Sequence, residues 1–190
     1  ALLLGDRGSQ LFRFTTNGVV TESTRGTILT NLAAVDGALL DFDYTGKLGL
    51  LAVQPDGRLR YLRNLSSPFA VYFSELNVTS GLPATVTGSA GLALEDLNGD
   101  ELLDVVVART GAAPLVFTRQ RGGPFTATNP APALPAAAVL VPGDLNNDSL
   151  PDIAAATGEN LEIRFAGGVP PQSLALGGFR VRALAPVDYD

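Results

Sequence analysis

The segments DLNGDELLDVVVA (96–108) and DLNNDSLPDIAAA (144–156) place Asp, Asn, Asp and Asp at positions 1, 3, 5 and 9 of a short loop, then run straight into an apolar stretch. Aligned on this pattern, four stretches fall into register: LLDFDYTGKLGLLAV (39–53), LEDLNGDELLDVVVA (94–108), PGDLNNDSLPDIAAA (142–156) and the stub PVDYD (186–190). Their first Asp residues are 55, 48 and 44 apart. A self-similar period in the forties restricts the chain to stacked units, as in a propeller or solenoid, in which each unit buries its faces against its neighbours.

Each unit repeats one order of elements. An apolar strand leads into the acidic loop, a short strand follows, a tight turn reverses it, and a second alternating strand returns. The turns are PDG (55–57), TGAAP (110–114) and TGEN (157–160), and the returning strands are LRYLR (59–63), PLVFTR (114–119) and LEIRF (161–165). Their alternation places one face on a core and one toward water, with the arginines on the wet face. With 21 Gly and 13 Pro, almost no apolar pattern survives ten residues unbroken, which leaves little room for helices. The expected fold is all-β: β-propeller blades of four-stranded antiparallel sheets, about four repeats, forming part of a larger ring of the seven-bladed type.

The units read as a partial blade of back strands at 1–30, a blade with a degenerate loop at 31–87, blades with complete loops at 88–135 and 136–180, and the start of a further blade at 181–190. LLLGDRGSQLFRF near the start matches the strand, turn and strand that follow the loop elsewhere, so the chain reads as cut out of phase. It opens at ALLLG without Met, as a piece of a longer protein would.

Cys, His, Met and Trp are absent, which removes disulfides, thiolate and imidazole chemistry and the usual zinc and haem ligands. No Ser-His-Asp or Cys-His nucleophile is possible, and carboxylates, Tyr and Lys are the remaining acids and bases. The net charge is −6 and no Lys/Arg stripe is present, so nucleic acid is not an expected partner. No apolar run reaches the roughly 20 residues needed to span a bilayer, so no membrane insertion is expected. The acids concentrate in the loops, a distribution that suits cation binding.

Calcium takes six to eight oxygen ligands, and a tight loop supplies them from positions 1, 3, 5, 7 and 9. The expected ligands are Asp96, Asn98, Asp100, the Leu102 carbonyl and Asp104 in one loop, and Asp144, Asn146, Asp148, the Leu150 carbonyl and Asp152 in the next. Gly99 and Asn147 at position 4 tolerate positive φ. An EF-hand would need Glu at position 12 and a following helix, but Val107 and Ala155 stand there inside strand-like runs. Dockerin loops also lead into helices. For any single copy a metal-free cluster of Asx turns explains the composition equally well; two copies in one register favour calcium. In the 41–49 copy, Thr45 and Gly49 replace the acids at positions 5 and 9 and Lys47 adds a positive charge, so two ions are expected and not three.

These loops resemble the D-x-[DN]-x-D-G-x-x-D-h-h-h calcium loops of FG-GAP (VCBS-type) repeats, known from integrin α-subunit propellers and bacterial surface proteins. TGAAP (110–114) is similar to the GAP element, and FSELNVTSGLP (73–83) resembles an inter-repeat segment. The departure is position 6, where Glu101 and Ser149 replace the favoured Gly. The resemblance implies a calcium-dressed, non-enzymatic propeller that recognises a protein or carbohydrate ligand in adhesion, in an extracellular, cell-surface or periplasmic setting. The alternatives are a polysaccharide lyase or hydrolase on the same scaffold, and a structural spacer.

Overall fold

The computed structural model describes residues 2–14, 18–68, 70–76, 81–128, 134–137 and 139–185. The stub acids Asp188 and Asp190 and residues 77–80 of the FSELNVTSGLP segment lie outside them. Two compact units divide the chain, Ala1–Val78 and Thr79–Asp190. All strand pairing among the described residues is between antiparallel strands of the same sheet, apart from one isolated parallel bridge, Gly5 to Ala33.

The first unit opens with a three-stranded sheet of β1 (Leu2–Leu3), β2 (Gln10–Phe14) and β3 (Val20–Glu22). A 3-10 turn at Ile28–Asn31 follows, capped by Thr27, whose hydroxyl accepts from the Leu29 N–H. Next comes a four-stranded sheet in sequential order: β4 (Asp36–Leu40), β5 (Gly49–Val53), β6 (Leu59–Asn64) and β7 (Phe73–Glu75). The core joins the two sheets through Leu29, Leu32, Ala34, Leu50, Ala52 and Leu62, with Leu2, Leu11 and Phe73 packed against them.

The second unit repeats the four-stranded plan twice, with β8 (Ser89–Glu95), β9 (Asp104–Arg109), β10 (Leu115–Thr118) and β11 (Thr126–Thr128), then β12 (Val139–Gly143), β13 (Asp152–Thr157), β14 (Asn160–Arg164) and β15 (Gln172–Ala175). Ala93, Val106, Val116 and Leu134 meet Ile153 in a cluster that packs one sheet on the other. The blade-like architecture expected from the repeat is therefore present: three four-stranded sheets and one three-stranded sheet among the described residues.

The strands that leave the acidic loops are the most buried parts of the chain. β5 is buried along its whole length, as are the first five residues of β9 and β13, which suits runs apolar on both faces. Val105, Val106 and Val107 are fully buried, and each stabilises the fold by about 1.5–3 kcal/mol relative to an exposed valine. β-Branched residues also suit the pleat by their restricted χ1. The reversal after β13 needs only Gly158 and Glu159, since Thr157 pairs with Asn160, and Gly158 supplies the positive φ of 65° that such a two-residue turn requires. These hairpins hold position 9 of each loop at the buried start of a central strand.

Candidate metal loops

The loops at 96–104 and 144–152 connect the first and second strands of their sheets, and their hydrogen bonds match almost atom for atom. Asp96 Oδ1 accepts from the N–H groups of Gly99 (2.8 Å) and Asp100 (3.1 Å), and Oδ2 accepts from Glu101 N–H (2.7 Å). Asp144 does the same for Asp148 (3.1 Å) and Ser149 (2.8 Å). Asp100 Oδ1 accepts from Leu102 N–H and Asp148 Oδ1 from Leu150 N–H, both at 2.9 Å. The Asn98 and Asn146 amides donate to the second carboxylate oxygens of Asp100 and Asp148 at 3.2 and 3.0 Å.

Position 9 anchors each loop from below. Asp104 is fully buried; its Oδ2 accepts from Leu97 N–H (3.1 Å) and its Oδ1 from Arg119 N–H (2.8 Å) at the end of β10. Asp152, also fully buried, accepts from Leu145 N–H (3.0 Å) and Ala166 N–H (2.9 Å) just past β14. One carboxylate thus ties the loop's second residue to the third strand of its sheet. Burial pushes the Asp104 carboxyl above the ordinary Asp value; the N–H groups of Arg119 and Leu97 oppose that rise, and the charges of Asp100 and Asp96 add to it.

Positive φ recurs at positions 4 and 6 of all three copies. The pairs are Tyr44 (55°) and Gly46 (77°), Gly99 (75°) and Glu101 (66°), Asn147 (61°) and Ser149 (64°). Asp41 also accepts from its position 5 and 6 N–H groups, those of Thr45 (3.0 Å) and Gly46 (2.7 Å). The 41–49 loop therefore keeps the backbone of the others although two of its acids are gone.

Its charge is handled differently. Arg63 on β6 forms an ion pair with Asp43, whose other oxygen accepts from the Thr45 hydroxyl at 2.9 Å. Burial works against the charged form of Asp43, but Thr45 and the Arg63 guanidinium outweigh it and hold the carboxyl below the ordinary Asp value. At position 9 a side chain has no room: a Cβ on Gly49 would lie 2.5 Å from the Tyr61 hydroxyl and 2.8 Å from the Leu62 carbonyl oxygen. Tyr61 is buried, its ring 4.9 Å from that of Phe42, and burial, with the Asp43 and Asp41 charges, pushes its phenol up to about 12. Lys47, which the sequence marks as the positive charge of this loop, donates instead to the Ser66 carbonyl at 2.7 Å.

A family model for the FG-GAP-like repeat matches residues 96–155, a span that runs from position 1 of the first complete loop into the strand after the second. Residues 96–155 therefore match an FG-GAP-like repeat. No curated protein sequence matches the chain.

Within the FG-GAP-type repeats, the structure places all ten sequence-predicted residues in two equivalent loops. Leu102 is buried and Leu150 is 42% exposed. Among the described residues no three acidic side chains gather about one point as a ready-made cage; the loop carboxylates instead hold backbone and Asn donors. The donor set itself is all oxygen, without nitrogen or sulfur, and that chemistry fits a hard divalent cation such as calcium.

Arg63 and Tyr61 are the residues that sequence reasoning did not single out. The signal lies in cross-strand register. Leu50 pairs with Leu62, which sets Arg63 across from position 9 of its loop, where the register of the other sheets sets Thr118 and Phe165. An arginine stands only where the position 9 acid is missing.

Proposed function

We propose that the 96–104 and 144–152 loops each take one calcium ion, and that the chain is a non-enzymatic, calcium-stabilised β-propeller segment that presents its loops to a protein or carbohydrate partner outside the cytoplasm. The observation that carries this reading is unbalanced charge. Each complete loop holds three aspartates, one of them fully buried, and no ion pair among the described residues reaches any of the six. Where the copy at 41–49 has lost acids, Arg63 supplies the positive charge. A bound calcium ion would supply it in the other two, offsetting the burial that raises Asp104 and the smaller repulsion from Asp100 and Asp96 that adds to it.

Affinity of about 10⁻⁴ M, common in extracellular modules, would let calcium at about 1 mM add about 1.4 kcal/mol per site. Cytosolic calcium would leave such sites nearly empty, which is the physical argument for an extracytoplasmic setting. No helix among the described residues is long and apolar enough to cross a membrane.

Absence of catalysis is supported by the side chains that remain. Without His or Cys, acid–base chemistry near neutral pH would fall to carboxylates, Tyr and Lys, and the loop carboxylates and Tyr61 are already engaged in structure. Calorimetric titration of chelator-stripped protein tests the metal reading. Two ions should bind and the melting temperature should rise by several degrees. No uptake, or a third equivalent site, would overturn it, and turnover of a glycan by the chain alone would overturn the non-enzymatic reading.

A further inference from the structure

We propose that the groove between residues 95–99 and the 144–151 loop, within the second unit, docks a basic side chain of a protein partner. The groove has a volume of about 490 Å³. Its lining combines the acids Glu95, Asp96 and Asp144 with the apolar Leu97, Leu150 and Pro151, and among the described residues no Lys or Arg lines it. Glu95 takes part in no ion pair among the described residues, and Leu150 leaves 42% of its surface open. Exposed apolar surface beside uncompensated carboxylates matches a lysine or arginine, whose methylene stem lies on leucine and proline while its charged head meets the acids. The volume lies toward the small end of ligand sites and suits one long side chain with its water. An acidic glycan would be repelled by these acids, and a neutral one would leave the carboxylates unmatched. Filling of the loops by calcium is not required: with an ion in each loop Asp96 and Asp144 would be ligands, but three aspartates outweigh one divalent ion in each and Glu95 is not a ligand, so the lining stays negative in either state.

Pentalysine peptide, titrated by calorimetry into the full chain at low salt with and without calcium, tests the docking site. Glu95→Lys and Ala166→Lys, which respectively reverse a charge of the lining and add a cation to it, should each weaken binding by about five-fold or more. Glu95→Gln, a milder change, should weaken it by about two-fold. Glu159→Lys alters net charge equally on the exposed turn after β13 and should leave affinity within about two-fold of the parent. Pentalysine acetylated at every Nζ should not bind. Equal weakening by Glu159→Lys, equal binding of the acetylated peptide, preference for a neutral oligosaccharide such as maltohexaose, or no pentalysine binding would each overturn the proposal.

Discussion

In the 41–49 loop, Arg63 stands beside Asp43 and the Tyr61 hydroxyl crowds position 9; in the 96–104 loop, position 9 is the buried Asp104 and no basic side chain among the described residues pairs with the acids. Yet both loops carry positive φ at positions 4 and 6, and both are closed by a position 1 aspartate that accepts from the N–H groups of positions 5 and 6. Loop shape therefore depends on position 1 and on local backbone conformation. Charge depends on positions 5 and 9 and on the strand across from them. The two properties separate, so a repeat can lose its acids and keep its fold when a cation from the same sheet is placed in register.

The sharpest way to break this comparison is at position 9. Asp104→Ala and Asp152→Ala each orphan two N–H groups, that of the loop's second residue and that just past the third strand, and leave a small void. Each should cost about 2–4 kcal/mol in denaturant unfolding with chelator present, and each should remove one calcium site. Asp43→Ala, in a partly exposed loop, should cost about 1 kcal/mol or less and leave calcium stoichiometry unchanged. A larger loss from Asp43→Ala than from Asp104→Ala would contradict the division of roles.

A reverse substitution sharpens the same point. The variant Thr45→Asp, Gly49→Asp, Tyr61→Val, Arg63→Thr restores the missing acids, removes the guanidinium and takes away the Tyr61 ring beside position 9, leaving the Leu62 carbonyl to give way to the new Cβ. It should bind a third calcium ion, worth about 1.4 kcal/mol at about 1 mM if the affinity is about 10⁻⁴ M. Two ions bound by this variant would show that more than charge and room separates the loops.

Much of this was legible in the sequence because it is local. The runs VVVA and IAAA lie within β9 and β13, which begin at position 9 as their spacing implies, and LRYLR lies within β6. Glu101 and Ser149, the departures from glycine at position 6, adopt positive φ. Arg63 was read only as the wet face of LRYLR because its partner lies 20 residues earlier in the chain. The ion pair exists only once β5 and β6 pair with Leu50 opposite Leu62. The same holds for the second anchor of Asp104, whose donor, Arg119 N–H, arrives through the β9–β10 hairpin. Loop composition reports ligands, whereas counter-charges delivered across a sheet require register.

Acidity should separate the loops in sign. Asp43 is held below its unfolded value near 3.8, so the Arg63 pair stabilises the fold above that pH and the gain is lost as pH falls through the lower folded value. Arg63 is more than a third exposed, so solvent screening limits the pair to about 0.5 kcal/mol. Asp104 is raised above 3.8, so without metal its burial as a carboxylate costs stability that returns as pH falls from the folded value through 3.8. Unfolding measured from pH 7 to pH 3 in chelator should show the difference between parent and Arg63→Met shrinking on acidification, while the parent gains relative to Asp104→Asn. Parallel slopes for the two variants would refute the opposite signs.

The smallest expected effect concerns position 6, where the complete loops depart from glycine and the 41–49 loop does not. Glu101 and Ser149 sit at φ of 66° and 64°, and a left-handed conformation costs a residue with a Cβ about 1–2 kcal/mol. Glycine removes that cost but adds about 0.5–1 kcal/mol of unfolded-state entropy. Glu101→Gly and Ser149→Gly should therefore each gain only about 0.5 kcal/mol, seen as a rise of about 1–2 °C in melting temperature. Both side chains are exposed, and it is their N–H groups that bind Asp96 and Asp144, so glycine keeps the hydrogen bonds that close the loop. Gly46→Ala in the 41–49 loop is the mirror experiment. A methyl group there meets no atom within 4 Å among the described residues, so any loss comes from φ at 77° and not from packing. Loss from Gly46→Ala together with gain from Glu101→Gly would show that one backbone constraint governs loops with and without their acids; a loss from Glu101→Gly would show that its side chain contributes more than its strain removes.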